Sequence, residues 1–147
     1  MELHFATGNM GKVEDAESIL PDVEVRQLEV EMLELQDACL ESVAKFKLEQ
    51  ALEQSQLFGS HVIADDSGLF IDALDGFPGI LSSPFDEKLG KEQLLDLVDE
   101  GAEAEFRAAV ALHDPQGQEV HVFNGSCRGN LVEPRGERGF GYDPMFL

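Results

Sequence analysis

At 147 residues with 43% apolar side chains, the chain is long enough for one globular domain that buries about 68% of the surface its unfolded form exposes, and too short for a second full domain. Thirty acidic residues against ten basic ones give a formal charge of -20, and since lysine and arginine are not gathered in one place, a nucleic-acid polymer is excluded as a partner. No window approaches the ~18 uninterrupted apolar residues of a membrane span or the layout of a secretion signal, and Cys39 and Cys127 lack the spacing of a zinc site or a disulfide framework, so a soluble cytoplasmic protein with reduced thiols is expected.

Glu2 to Ala6 alternates as a strand and meets Thr7-Gly8-Asn9-Met10-Gly11-Lys12. Val13, Ala16, Ile19 and Leu20 then recur at helical spacing up to Pro21, which reads as strand, glycine loop, helix. Val23 to Leu28 alternates as a second strand, and Met32 to Ala38 follows neither period. From Cys39 to about Leu57, the apolar residues Leu40, Val43, Ala44, Leu48, Ala51 and Leu52 step by three and four, the mark of an amphipathic helix, with Lys47 on or beside its apolar stripe. His61 to Ala64 predicts a short strand that ends at Asp65-Asp66-Ser67-Gly68. Leu69 to Leu74 is apolar again before the turn-rich Gly76-Phe77-Pro78-Gly79. Glu92 to Val98 reads as a helix. Phe106, Ala108, Val110 and Leu112 alternate up to Asp114-Pro115-Gln116-Gly117, beyond which Val120 and Val122 resume, so a β-hairpin is expected there. Pro134 to Pro144 carries Gly136, Gly139 and Gly141 and reads as a loop. Helices and strands mix throughout, which gives an α/β or α+β class without internal repeats.

The Thr7 to Lys12 segment has the parts of a phosphate cradle: glycines that let backbone N–H groups approach an anion, a helix start with its positive end, and a lysine. It is not a Walker A loop, because only two residues separate Gly8 from Gly11 and Val13 follows the lysine. A glycine loop of this size serves equally as a tight connection. Asp65 and Asp66, as consecutive strand residues, point to opposite faces, which suits one to structure and the other to a metal or to activating water. Mg²⁺ takes carboxylate and phosphate oxygens, and Glu34 is a candidate second carboxylate. Paired acids at a strand end also act as caps, and so acidic a chain produces such pairs by chance. Lys47 fits a snorkelling amine as well as a phosphate ligand. Phe140-Gly141-Tyr142-Asp143 offers a ring for stacking on a base beside a carboxylate, or a core plug.

Taken in order, these segments resemble the inosine triphosphate pyrophosphatase family. Ala6-Thr7-Gly8-Asn9-Met10-Gly11-Lys12 is similar to its opening motif, Glu34-Leu35-Gln36 to its metal-binding glutamate segment, and Lys47 to its helical lysine. Ala64-Asp65-Asp66-Ser67-Gly68-Leu69 is similar to its acidic signature, followed by Gly76-Phe77-Pro78-Gly79. Arg135-Gly136-Glu137-Arg138-Gly139-Phe140-Gly141-Tyr142-Asp143-Pro144-Met145-Phe146 resembles its glycine-rich loop.

The resemblance implies an α/β fold with an elongated mixed β-sheet, flanking helices and a central nucleotide cleft, usually as a homodimer. It implies Mg²⁺-dependent hydrolysis of non-canonical purine nucleoside triphosphates, those of inosine, deoxyinosine and xanthosine, to the monophosphate and pyrophosphate. Thr7, Gly8, Asn9 and Lys12 would hold the triphosphate, Lys47 would neutralise its charge, and Glu34 and Asp66 would carry the metal. Asp66 would also activate water, giving Asp66, Lys12 and Lys47 the catalytic work. Ser67, Phe140, Gly141, Tyr142 and Asp143 would contact the nucleotide, with Phe140 stacked on the purine.

Family members continue for roughly a further helix and a Ser-His-Arg motif, so the single domain of residues 1–147 is expected to be C-terminally shortened. Between Ile80 and Gly90, Leu81-Ser82-Ser83-Pro84-Phe85 replaces a tyrosine-containing family segment. The opposing expectation is a truncated or degenerate relative that binds nucleotide, or a partner subunit, without useful turnover. Intact Lys12, Glu34, Lys47 and Asp66 favour the enzyme.

Overall fold

The computed structural model describes residues 1–33, 39–134, 142, 145 and 146. Strand β1 (Glu2–Ala6), helix α1 (Met10–Ile19) and strand β2 (Glu24–Leu28) open the chain, followed by α2 (Leu40–Ser55) and the long β3 (His61–Ile71). A 3₁₀ turn (Asp72–Leu74), β4 (Pro78–Gly79), α3 (Ser82–Lys88), α4 (Lys91–Leu95), β5 (Glu103–Asp114) and β6 (Glu119–Asn130) complete the described elements.

The sheet is mixed, with strand order β2-β1-β3-β5-β6 and β4 paired to β3. β1 runs parallel to β2 and to β3, so each of those connections needs a crossover, which α1 and α2 supply. β4 is antiparallel to β3. Only four residues separate β5 from β6, a length that an antiparallel hairpin alone can use. β6 stands last in the strand order and is exposed along nearly its whole length.

The chain divides into two compact units, Met1–Asp66 with Ala109–Asn124, and Ser67–Ala108 with Gly125–Leu147. In the first, Leu3, Phe5, Val13, Val25 and Ile63 form a buried cluster on which Ala16, Val23, Val110 and Leu112 pack. Leu3 and Phe5 share one face of β1 by the two-residue period of a strand. Helix α2 buries Leu40, Val43, Ala44, Leu48, Ala51 and Leu52, the same three- and four-residue stripe that its sequence displays. The second unit has its own core of Leu69, Ile71, Leu94, Ala104, Leu131, Tyr142 and Met145.

Three elements differ from the sequence pattern, the first two for identifiable reasons. β3 does not end at Asp65 but continues without interruption to Ile71. Its polar stretch stays in the strand because Asp65 and Asp66 find partners among the lysines of α1 and α2. Helix α3 occupies a segment with no helical period. Pro84 is its third residue, within the first turn, where a missing N–H removes no intrahelical hydrogen bond. Helix α4 begins one residue before Glu92 and stops at Leu95, short of Val98.

Gly68 and Ser82 fix the β3–β4 corner of the second unit. Leu69 lies opposite Gly79 in the register, and a Cβ added at Gly68 would fall 2.2 Å from the Gly79 carbonyl oxygen. Ser82, 4% exposed, accepts the Leu69 N–H at 2.8 Å and donates to the Gly79 carbonyl at 2.6 Å. Gly68→Ala should therefore cost about 1–3 kcal/mol, as overpacking against backbone does. Gly59→Ala, whose Cβ would meet nothing within 4 Å, serves as the control. Thermal melting of both variants checks this, and equal midpoints would contradict the close approach.

Candidate active site

The Thr7–Lys12 loop is held by its own side chains. Thr7 Oγ1 accepts the Asn9 N–H at 3.1 Å, and Asn9 Oδ1 accepts the Gly11 N–H at 2.9 Å, capping α1. Gln27 on β2 donates to the Thr7 carbonyl at 2.9 Å, which fixes where the loop leaves the sheet. No acidic residue falls in the first turn of α1, although the chain carries thirty. The partial positive charge of that helix end therefore has no carboxylate beside it from its own turn.

Lys12, the third residue of α1, reaches β3 and donates to Asp65 Oδ2 at 2.7 Å. Lys47, midway along α2, donates to Asp66 Oδ1 at 3.0 Å and to the Asp65 carbonyl at 3.3 Å. Adjacent strand residues project to opposite sides, so two neighbouring carboxylates serve two lysines from different helices. The side chains are 19% and 12% exposed in the first pair and 17% and 16% in the second. This is deep enough for the charges to feel one another more strongly than at an open surface. Burial pushes the Asp66 carboxyl above the ordinary carboxylate range, against the pull of Lys47 and Lys12 and with help from the Asp65 charge.

Among the described residues, no three His, Cys, Asp or Glu side chains converge on a metal position. The donor chemistry of Asp66 nevertheless fits Mg²⁺, a hard cation held by one or two carboxylates together with substrate phosphate oxygens rather than by an all-protein cage. Glu34, the other expected ligand, lies outside the described residues, as do Phe140, Gly141 and Asp143.

Of the remaining expected site residues, Gly8 is exposed, Thr7 and Asn9 are half-buried in the loop, and Ser67 is half-buried in β3. Tyr142 is 5% exposed in the core of the second unit. Its hydroxyl donates to the Ser82 carbonyl at 2.6 Å, and burial holds its phenol well above the ordinary range. Its ring and hydroxyl are committed to packing. Two polar roles escape a reading of the sequence: Asp65 as the partner of Lys12, and Ser82 as a buried hydrogen-bonding centre. The adjacency of Asp65 to Asp66 signals the first only once both helices are placed, and no sequence pattern signals the second.

The sequence profile of the Ham1 family matches residues 3–147. The chain is 42% identical over 152 aligned positions to the dITP/XTP pyrophosphatase of Methanopyrus kandleri, covering 100% of this chain and 79% of that protein. It is 39% identical to the dITP/XTP pyrophosphatase of Thermococcus kodakarensis, with the same coverage. Among solved structures, the Ham1 protein of Staphylococcus aureus superposes with a TM-score of 0.74 at 32% identity, over 99% of this chain and 80% of that one. A HAM1 protein from Coxiella burnetii gives a TM-score of 0.74 at 30% identity, over 99% and 81%. Since sequence and backbone both agree from β1 through the acidic signature and beyond, the chain belongs to the Ham1 family.

Proposed function

We propose that this chain hydrolyses non-canonical purine nucleoside triphosphates, those of inosine, deoxyinosine and xanthosine, to the monophosphate and pyrophosphate. The activity named for its relatives supports the reading. The observation that carries it is the pair of lysines brought from α1 and α2 onto adjacent aspartates of β3. A triphosphate needs positive charge delivered from more than one direction, and in a chain of net charge -20 Lys12 lies in the first turn of a helix whose start suits anions while Lys47 adds a second ammonium from α2.

In this reading, Lys12 and the N–H groups of the Thr7–Asn9 loop hold the phosphate chain, and Lys47 offsets charge on it. A water attacks the α-phosphorus. Its proton passes to Asp66, the carboxylate that Lys47 contacts at 3.0 Å. The bond from the α-phosphorus to the bridging oxygen breaks, and the electron pair leaves with pyrophosphate. Asp66, with Glu34, would hold Mg²⁺, whose chemistry when bound is neutralisation of phosphate charge. Ser67, Phe140, Gly141 and Asp143 would meet the nucleoside. Tyr142 would contribute through its backbone, since its side chain is spent in the core.

Pyrophosphate release from inosine, deoxyinosine, xanthosine, adenosine and guanosine triphosphates with Mg²⁺ tests the activity. Faster turnover of the inosine and xanthosine compounds is expected. Release from none of them refutes the proposal, and equal rates refute its purine preference.

Asp66→Asn, nearly unchanged in volume, should lower turnover about a hundredfold or more, as loss of a general base does. Circular dichroism should report an intact fold. Turnover above roughly a tenth of wild type would remove Asp66 from the mechanism.

Lys47→Met keeps an apolar stem on α2 and deletes the ammonium. Calorimetry should show triphosphate affinity falling about tenfold while inosine itself binds as before. Unchanged triphosphate affinity would reduce Lys47 to a packing residue.

A further inference from the structure

We infer that Asp65 is a positioning residue for Lys12, an assignment that rests on the hydrolase reading above but can be tested apart from it. A lysine ammonium ends a stem of four rotatable carbons and carries three donors. Without a partner it samples many positions around the phosphate loop. Here one donor is spent on Asp65 Oδ2 at 2.7 Å, which leaves two for phosphate oxygens.

The holder is itself well fixed. Asp65 follows Ala64, which is fully buried and stands opposite Ala6 in the parallel β1–β3 register. Ala6 is the residue from which the Thr7–Lys12 loop departs. The same strand register therefore sets both the start of the loop and the carboxylate that receives its lysine. The Asp65 backbone carbonyl also accepts from Lys47 at 3.3 Å, so one residue touches both ammonium groups, one with its side chain and one with its main chain. At 12% and 19% exposure, Asp65 and Lys12 are more enclosed than the surface ion pairs that exchange freely with water.

A positioning role and a charge role have opposite signs. As a bare negative charge near a polyanion, Asp65 would oppose triphosphate binding, and its removal would tighten binding. As a holder of Lys12 it lowers the barrier, and its removal slows the chemical step, where small misplacements are expensive.

The test compares Asp65→Ala, Asp65→Asn, Lys12→Met and the Asp65→Ala/Lys12→Met double variant in the full chain. Turnover of inosine triphosphate is expected to fall about tenfold or more in Asp65→Ala, a larger change than that in KM. Asp65→Asn, which keeps an acceptor oxygen, should recover most of it. In the Lys12→Met background, Asp65→Ala should change nothing further. Independently of activity, nitrogen-15 spectra of the free protein should give a protected Lys12 ammonium signal in wild type and Asp65→Asn that broadens away in Asp65→Ala.

Unchanged or faster turnover in Asp65→Ala, full additivity with Lys12→Met, or an ammonium signal indifferent to Asp65 would each overturn the assignment. Should wild type release no pyrophosphate, the proposed activity fails, and the ammonium signal still decides whether Asp65 orders Lys12.

Discussion

Two carboxylates on consecutive residues in the interior of a strand impose a demand that the first unit is built to meet. Mostly buried charges are costly unless paired, and neighbours in a strand face opposite sides, so no single cation can serve both. Asp65 and Asp66 therefore require one ammonium from each side. Helix α1 supplies one from its first turn and α2 the other from its middle. The placement of both helices against β3, and the continuation of β3 through a polar stretch, follow from that pairing as much as from the apolar stripes beneath it.

The same arrangement balances the charges of the four paired side chains before any ligand arrives. Among the described residues, two positive and two negative side chains pair off there, and beside them stands the polarity of the α1 N-terminus, which has no carboxylate in its first turn. A surface of net charge -20 slows the approach of a polyanion from a distance, an effect that salt weakens beyond about 10 Å. Recognition of phosphate is then a matter of short-range contacts within the loop and the two lysines.

Local chemistry was readable from the sequence and long-range chemistry was not. The β1–loop–α1 transition, the α2 stripe and the β5–β6 hairpin follow from periods, caps and turns contained within a dozen residues or so, and each is where the sequence puts it. The motif order carries the family and singles out Lys12, Lys47 and Asp66, three side chains that the fold brings to one stretch of β3. The division of the two lysines between Asp65 and Asp66 depends on residues 53 and 19 positions apart, and no local period encodes it. Strand β3 looked finished at Asp65 because turn-type residues ordinarily end strands, and here tertiary pairing overrides that preference. Helix α3 is too short and mixed for a period to emerge. Tyr142 reads in its glycine-rich context as an aromatic for a ligand or as a core plug, and its ring lies in the core of the second unit with its hydroxyl donating to the Ser82 carbonyl.

Strand β6 has a consequence for how copies of this chain behave in company. Among the described residues, a twelve-residue strand stands at the end of the sheet order, exposed along nearly all its length and bearing Val120 and Phe123 at 45% and 58% exposure, the kind of edge on which another strand can build. Mutual repulsion between molecules of charge -20 opposes that meeting in dilute buffer. Its reach shrinks to about 3 Å in molar salt. Charge repulsion thus guards such an edge less in concentrated salt than in dilute buffer.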